Sequence, residues 1–372
     1  MSGTLFPNAA FWGERLQVAR EFRGLTQKEL ADHVAASPAL LSLCEKGDRP
    51  FPARDLVEAF GEVLGFEPQF FYGPVTDVFR EEECSFRHRR STPERLKAKI
   101  RAHATLTGMV INRLRSIFHF PKQNVPHLPA RTESEIENAA EECRRYWNLS
   151  LDSPIKHVGR VLEHAGVVIV PHLVREDVDA FSRCGPTAVI FLNQAIKSTS
   201  RWHFDIGHEC GHLVMHSGIP TGTQETEDAA NRFASAFLLP RKAFTREFCT
   251  DKFDWKHVLA MKRRWQTSAQ AIVRRAYDLR LLGAVEYRKA FKYMSWKGWS
   301  SAGEPDEPGF QQPELLANAL SALGKKVEFT VEALCRELHF TPKTFQDVTG
   351  VSIPKHSVSP VAVMPVARRG YE

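Results

Sequence analysis

The sequence has no C-x-x-C pair, no apolar run approaching a membrane span, and no glycine-rich phosphate loop. Seven cysteines (Cys44, Cys84, Cys143, Cys184, Cys210, Cys249 and Cys335) are scattered through 372 residues. An odd, dispersed set argues against a disulfide framework or a thiolate zinc site and fits a reducing compartment. Runs such as Gly166-Val-Val-Ile-Val-Pro171 fall far short of the ~20 apolar residues a spanning helix needs. The opening Met-Ser-Gly-Thr-Leu-Phe-Pro has neither the basic nor the apolar region of a secretory leader,. A cytoplasmic location with no membrane contact is therefore expected. Internal repeats and low-complexity tracts are also missing.

What remains is ordinary soluble composition, 43% hydrophobic and 25% charged, in a chain long enough for two or three domains. The net charge of +6 permits nucleic-acid binding without requiring it.

The chain is organised around Arg201 to His216, which contains His208-Glu-Cys-Gly-His212. On a helix the two histidines stand at i and i+4, on one face, where both imidazoles can reach one zinc ion. Glu209 is then placed to act as general base toward a zinc-activated water. Cys210, two residues from His208, is expected to face away from the ligands. Gly207 and Gly211 each cost about 1 kcal/mol relative to Ala in a helix, which implies that something approaches this backbone closely.

A catalytic zinc takes three protein ligands. The stretch Gln224 to Pro240 reads as a second helix, acidic at its start and apolar at its end. Glu227 is the candidate third ligand, with Glu225 and Asp228 as rivals. His216 competes, because H-x-x-x-H continues the same face. A column of three imidazoles suits one tetrahedral ion less well than a carboxylate arriving from another helix.

His208-Glu-Cys-Gly-His212-Leu-Val-Met-His216 and Glu227-Asp-Ala-Ala-Asn231-Arg-Phe-Ala234-Ser-Ala-Phe-Leu-Leu-Pro240 together resemble the ImmA/IrrE family of metallopeptidases. The resemblance implies His208, His212 and Glu227 as Zn2+ ligands and Glu209 as the catalytic residue. His216 and Asn231 fall at supporting positions. It also implies a protein substrate, such as a repressor.

The N-terminal stretch has its own punctuation. A helix is expected over 11–22, stopped by Gly24. Thr26-Gln-Lys-Glu29 is a capping box. Ser37-Pro38 opens a third helix that ends at Gly47. Arg20 to Ala31, Ser37 to Ser42 and Glu45-Lys-Gly-Asp-Arg-Pro50 resemble the XRE, or Cro/C1-type, helix-turn-helix domain. The resemblance implies double-stranded operator DNA as partner and a homodimer, with Gln27, Ser37, Ser42, Lys46 and Arg49 at the contact. Pro38, Ala39 and Leu43 occupy groove-facing positions and cannot make bidentate base contacts.

Between 87 and 101, seven cations face one acid, Glu94, which equals the whole chain's excess of +6. This is expected to be the solvated face of a helix over 92–118. Helices are expected over 133–148 and 154–165, and strands at 167–170, 178–182 and 188–193. Helices resume over 241–290. Short helices at 314–323 and 330–338 precede a surface tail from 354. Thr341-Pro-Lys-Thr-Phe-Gln faintly repeats helix-turn-helix grammar.

The expected architecture is multidomain. An all-α helix-turn-helix unit (1–75) leads through a basic helical linker (76–132) to an α+β, zincin-like peptidase domain (133–290). That domain carries a small antiparallel or mixed sheet, and a small helical region (291–372) follows. The expected function is a DNA-binding regulator carrying a zinc endopeptidase. The rival is a transcription factor of a stress, prophage or toxin–antitoxin operon whose peptidase fold acts as a sensor with little turnover.

Overall fold

The computed structural model describes residues 10–49, 51–75, 84–85, 93–172, 180–185, 187–193, 195–196, 198–219, 221–248, 252–299, 303–325, 329–351 and 364–365. Helices α1 (Gly13–Phe22), α2 (Gln27–His33), α3 (Pro38–Lys46) and α4 (Arg54–Leu64) form the N-terminal unit, closed by a 3-10 turn at Pro68–Phe71. The capping box at Thr26 is made on both sides: its hydroxyl accepts from Glu29 N at 3.1 Å, and its own N–H donates to Glu29 at 2.7 Å. Ser37 caps α3 on one side, its hydroxyl accepting from Leu40 N, with Pro38 at the first position, and Gly47 ends it at φ 79°. A buried ion pair holds three helices together. Arg20 donates to both oxygens of Glu45, at 2.5 and 2.9 Å, and the Gln27 amide adds a bond at 2.8 Å.

Strand β1 (Cys84–Ser85) precedes the long helix α5 (Glu94–Ile117) and strand β2 (Phe118–His119). Cations of the basic run are engaged within the chain. Arg95 reaches Gly24 O and pairs with Glu29, while Lys97 and Arg101 pair with Glu94. Arg87, Arg89 and Arg90 lie outside the described residues. The solvated face expected over 92–118 does not run the length of α5: every residue from Ala102 to Ile111 is buried, so the middle of the helix is enclosed on all sides.

Helices α6 (Glu133–Tyr146) and α7 (Val158–His164) lead to strands β3 (Val168–His172), β4 (Ala180–Arg183) and β5 (Val189–Asn193). Helix α7 begins later than the sequence suggested. Arg144 donates to the carbonyls of Ser150 and Ser153, which holds the preceding stretch as an irregular loop. The metal-motif helix α8 (Thr199–Met215) and α9 (Gln224–Leu238) follow, then α10 (Arg241–Phe248), α11 (Trp255–Trp265), α12 (Ala269–Asp278) and α13 (Ala284–Trp296). The boundary expected at 290 falls inside α13. Helices α14 (Leu315–Ala322), α15 (Val331–Leu338) and α16 (Pro342–Thr349) come next, and β6 (Met364–Pro365) pairs with β2. The rest of the tail from 354 lies outside the described residues.

The sheet is mixed, in the order β1-β4-β5-β3. β3 and β5 are parallel, whereas β4 runs antiparallel to β5 and β1 antiparallel to β4. Strand alternation sends its side chains into two cores. Val168, Val170, Phe181, Val189 and Phe191 join a core shared with α1–α5 and α14–α16. Ile169, Ala180, Ile190 and Leu192 join the core of α6–α13. The sheet is thus a middle layer with both faces covered, as parallel strands require.

Residues 303–314 form a strap between α13 and α14. Glu304 accepts from the backbone N–H groups of Ala269 and Gln270 at the start of α12. Glu307 accepts from Ser198 Oγ and from Ser200 at the start of α8. Fully buried Lys262 donates to both acids, at 2.9 and 2.8 Å. Carboxylates at helix N-termini satisfy orphan N–H groups and complement the dipole. The sequence pattern of this acidic, proline-flanked segment reads only as a turn.

Candidate metal centre

Helix α8 crosses β4 and β5 and packs along α9. The two glycines explain how closely. A Cβ at Gly211 would sit 3.1 Å from Phe233 of α9, and one at Gly207 would sit 3.4 Å from Ala234. This close approach brings the i, i+4 histidines of α8 against the first turn of α9. His208 Nε2 and His212 Nε2 are 3.2 Å apart. Glu227 straddles them, one oxygen 3.4 Å from each imidazole. All three are buried, and their ligand atoms lie within 4.8 Å of one another.

This donor set fits zinc. Tetrahedral Zn–N bonds near 2.05 Å place two nitrogens roughly 3.3 Å apart. Two imidazole nitrogens and a carboxylate are borderline ligands suited to that ion. Burial by itself would raise the Glu227 pKa, but hydrogen bonds and charge from His208 and His212 outweigh it and bring it to about 2. Burial lowers the pKa of His212, which favours the neutral ring that a metal needs.

Each imidazole is also held from behind. His208 Nδ1 is 3.0 Å from Asn231 Oδ1, one turn along α9 from Glu227. His212 Nδ1 is 3.0 Å from His216 Nδ1. An N–H donated from Nδ1 leaves Nε2 with its lone pair facing the site. His216 thus lies on the far side of His212 from Glu227, and burial brings its pKa to about 4. Neither Glu225 nor Asp228 joins the cluster, and Asp228 accepts from Gln224. Glu209 is buried at 2% exposure beside His208, and Cys210 points into the core.

A cavity of about 380 Å3 opens beside the C-terminal half of α8, lined by Leu213, Ser217 and Gly218 together with Cys184, Gly185, Gln123 and residues 125–127. The ligands are not in its wall. They are 1–6% exposed.

In the N-terminal unit, Ser37, Lys46 and Arg49 are exposed and Ser42 is half-buried. Gln27 is half-buried and donates to Glu45. Pro38 and Ala39 are exposed, as is Leu43 at 44%.

A scan against protein families matches residues 162–277 to the IrrE N-terminal-like domain, a peptidase family, and residues 13–69 to a helix-turn-helix domain. A search of curated proteins gave no match. The chain carries an N-terminal XRE-like helix-turn-helix domain fused to an ImmA/IrrE-like peptidase domain. The peptidase domain bears a His/His/Glu cluster consistent with zinc. Among the described residues, no helix is long and apolar enough to cross a membrane.

Proposed function

We propose that this protein is a cytoplasmic, operator-binding regulator whose zinc endopeptidase domain cleaves a regulatory protein such as a repressor. The observation that carries the reading is the convergence of His208, His212 and Glu227 from two helices, with Glu209 adjacent. Zinc held there supplies Lewis acidity toward the scissile carbonyl and acidifies water. Glu209 takes the proton of the attacking water and passes it to the leaving amine. Asn231 and His216 fix the ring orientations of His208 and His212.

The helix-turn-helix unit, within residues 1–75, binds DNA as a homodimer on a short inverted repeat. Ser37, Ser42, Lys46, Arg49 and the second amide hydrogen of Gln27 line the contact. Exposed Pro38, Ala39 and Leu43 leave few donors for base edges, so backbone charge carries much of the affinity and binding falls steeply with salt.

The test begins with metal analysis of the purified chain, where one zinc per chain is expected. Glu209→Gln should retain that zinc and lose roughly 10²–10⁴-fold in cleavage of regulators encoded beside the gene. An apoprotein that binds no zinc, or a Glu209→Gln chain that cleaves normally, would sink the peptidase assignment. Wild type that holds zinc and regulates but cuts nothing would favour the sensor reading. That reading draws on the core shared between the helix-turn-helix helices and the sheet.

A further inference from the structure

We propose that α15 and α16 form a second helix-turn-helix unit, and that α16 reads double-stranded DNA through Lys343 and Gln346. The inference rests on the DNA-binding reading of the N-terminal unit and adds a second contact to the same partner.

The pair α2–α3 and the pair α15–α16 match position for position at a constant separation of 304 residues (26 to 330, 37 to 341, 41 to 345). Thr26 and Thr330 cap the first helix of each pair, each hydroxyl accepting from the N–H three residues on, at 3.1 and 3.2 Å. Both turns bend through a left-handed residue at the same place, Ala35 at φ 51° and His339 at φ 56°. Ala36 N–H donates to Ala31 O at 2.9 Å, and Phe340 N–H donates to Cys335 O at 2.9 Å. Ser37 and Thr341 then cap the second helix, each followed by proline. Leu30, Ala31, Leu41 and Cys44 are buried in one pair, and Leu334, Cys335, Phe345 and Val348 at the matching positions of the other. Caps, turn and burial repeat while most residue identities do not, so the repeat is carried by the backbone.

A shared turn alone would not carry the inference. Gln266 makes the same bend between α11 and α12, but there Glu304 of the strap covers the N–H groups at the start of α12. On α16, Pro342, Lys343, Gln346 and Asp347 are exposed, and they hold the positions of Pro38, Ala39, Ser42 and Leu43 in α3. The chemistry of that face differs in the direction DNA requires. Among those four positions α3 has one half-buried serine and no bidentate donor. α16 has a glutamine, which can pair with both N6 and N7 of adenine, and a lysine, which can reach guanine or phosphate. Asp347 is paired with Arg23 of α1 at 2.8 Å, which offsets its charge. The second pair is also fastened to the first unit. Thr341 donates to Gly65 O at 2.8 Å, and Glu67 N–H donates to His339 O at 3.0 Å. A second reading helix tethered in this way adds affinity at small further entropic cost.

The test uses the full chain and randomised duplexes of about 30 base pairs, roughly three helical turns. Bound duplexes are enriched, and gel shifts are run across a salt series. Gln346→Ala should lose about tenfold or more on the enriched sequence and little on unselected duplex. Gln346→Arg should move the preference at that position from adenine to guanine, a gain that a misfolded chain cannot show. Lys343→Ala should weaken binding to all sequences and lower the salt slope by about one. If all three variants keep the enriched sequence and the affinity while Lys46→Ala weakens binding, α16 is not a reading helix and the N-terminal reading stands. Wild type that enriches no duplex at low salt would retire DNA binding for both units. Loss of regulation in cells by Gln346→Ala, with DNA affinity intact, would assign this face to a protein partner and overturn the proposal.

Discussion

The two cores that meet at the sheet are built from different materials. The core around α1–α5 and α14–α16 is rich in phenylalanine: Phe60, Phe66, Phe70, Phe71 and Phe340 lie within it, and Phe66 stacks on Phe70 at 4.3 Å. Its buried polar groups are structural. Arg20 is paired with Glu45, and His103 of α5 bonds Val348 O of α16 at 2.8 Å. The other core holds His208, His212, His216 and Glu227, buried and in contact with one another, with Glu209 buried next to His208 in the chain. A core that only supports can pair its polar groups and stop. A core that works must keep ligands desolvated and poised, and α8 and α9 pack through glycine and alanine to allow it.

The largest expected effect tests whether the two cores are one cooperative unit. Phe345→Ala empties a fully packed site on α16 and should cost about 3–5 kcal/mol. Because β3–β5 contribute to both cores, urea unfolding of the zinc-loaded chain should shift as a single transition. Two separated transitions, with only one displaced, would show the cores to be independent.

A smaller effect sits at the junction. Glu163 of α7 accepts from the N–H groups of Glu314 and Leu315 at the start of α14. Burial pushes its pKa to about 7. The folded chain thus keeps a proton that the unfolded chain loses above its ordinary value near 4.5. Stability falls as pH rises from about 4.5 to about 7, by an amount on the order of 3 kcal/mol. Glu163→Gln should match wild type near pH 4.5 and be more stable at pH 8, as read by thermal melts across pH. Equal melting of the two proteins at pH 8 would contradict the raised pKa.

The smallest effect sharpens the working core. His216→Ala removes the partner of His212 Nδ1 and should weaken zinc by about 10–100-fold without abolishing it, measured by chelator competition. Complete loss of metal would make His216 a ligand and displace Glu227 from that role.

Much of this was legible in the chain. Thr26, Glu29, Ser37, Pro38 and Gly47 each act through local backbone chemistry, so α2 and α3 start and stop where those residues stand. The i, i+4 spacing of His208 and His212 is likewise local. The residue pattern left Glu225, Asp228 and His216 open as third ligands, because the choice depends on where α9 lies. Glu304, Glu307 and Lys262 were illegible as a group, since their contacts span more than 40 residues of chain and answer to helix ends.

By itself, then, the sequence determined the elements whose causes lie within one helical turn: the caps, the paired histidines and the alternation that splits β3–β5 between two faces. Only the tertiary structure decided that the basic run's helix is enclosed through its middle, packed on α1 and α16, that Glu227 faces the imidazoles, and that β4's edge is met by residues 84–85. Those outcomes depend on which apolar faces bury one another, a long-range and non-directional term that local residue order does not encode.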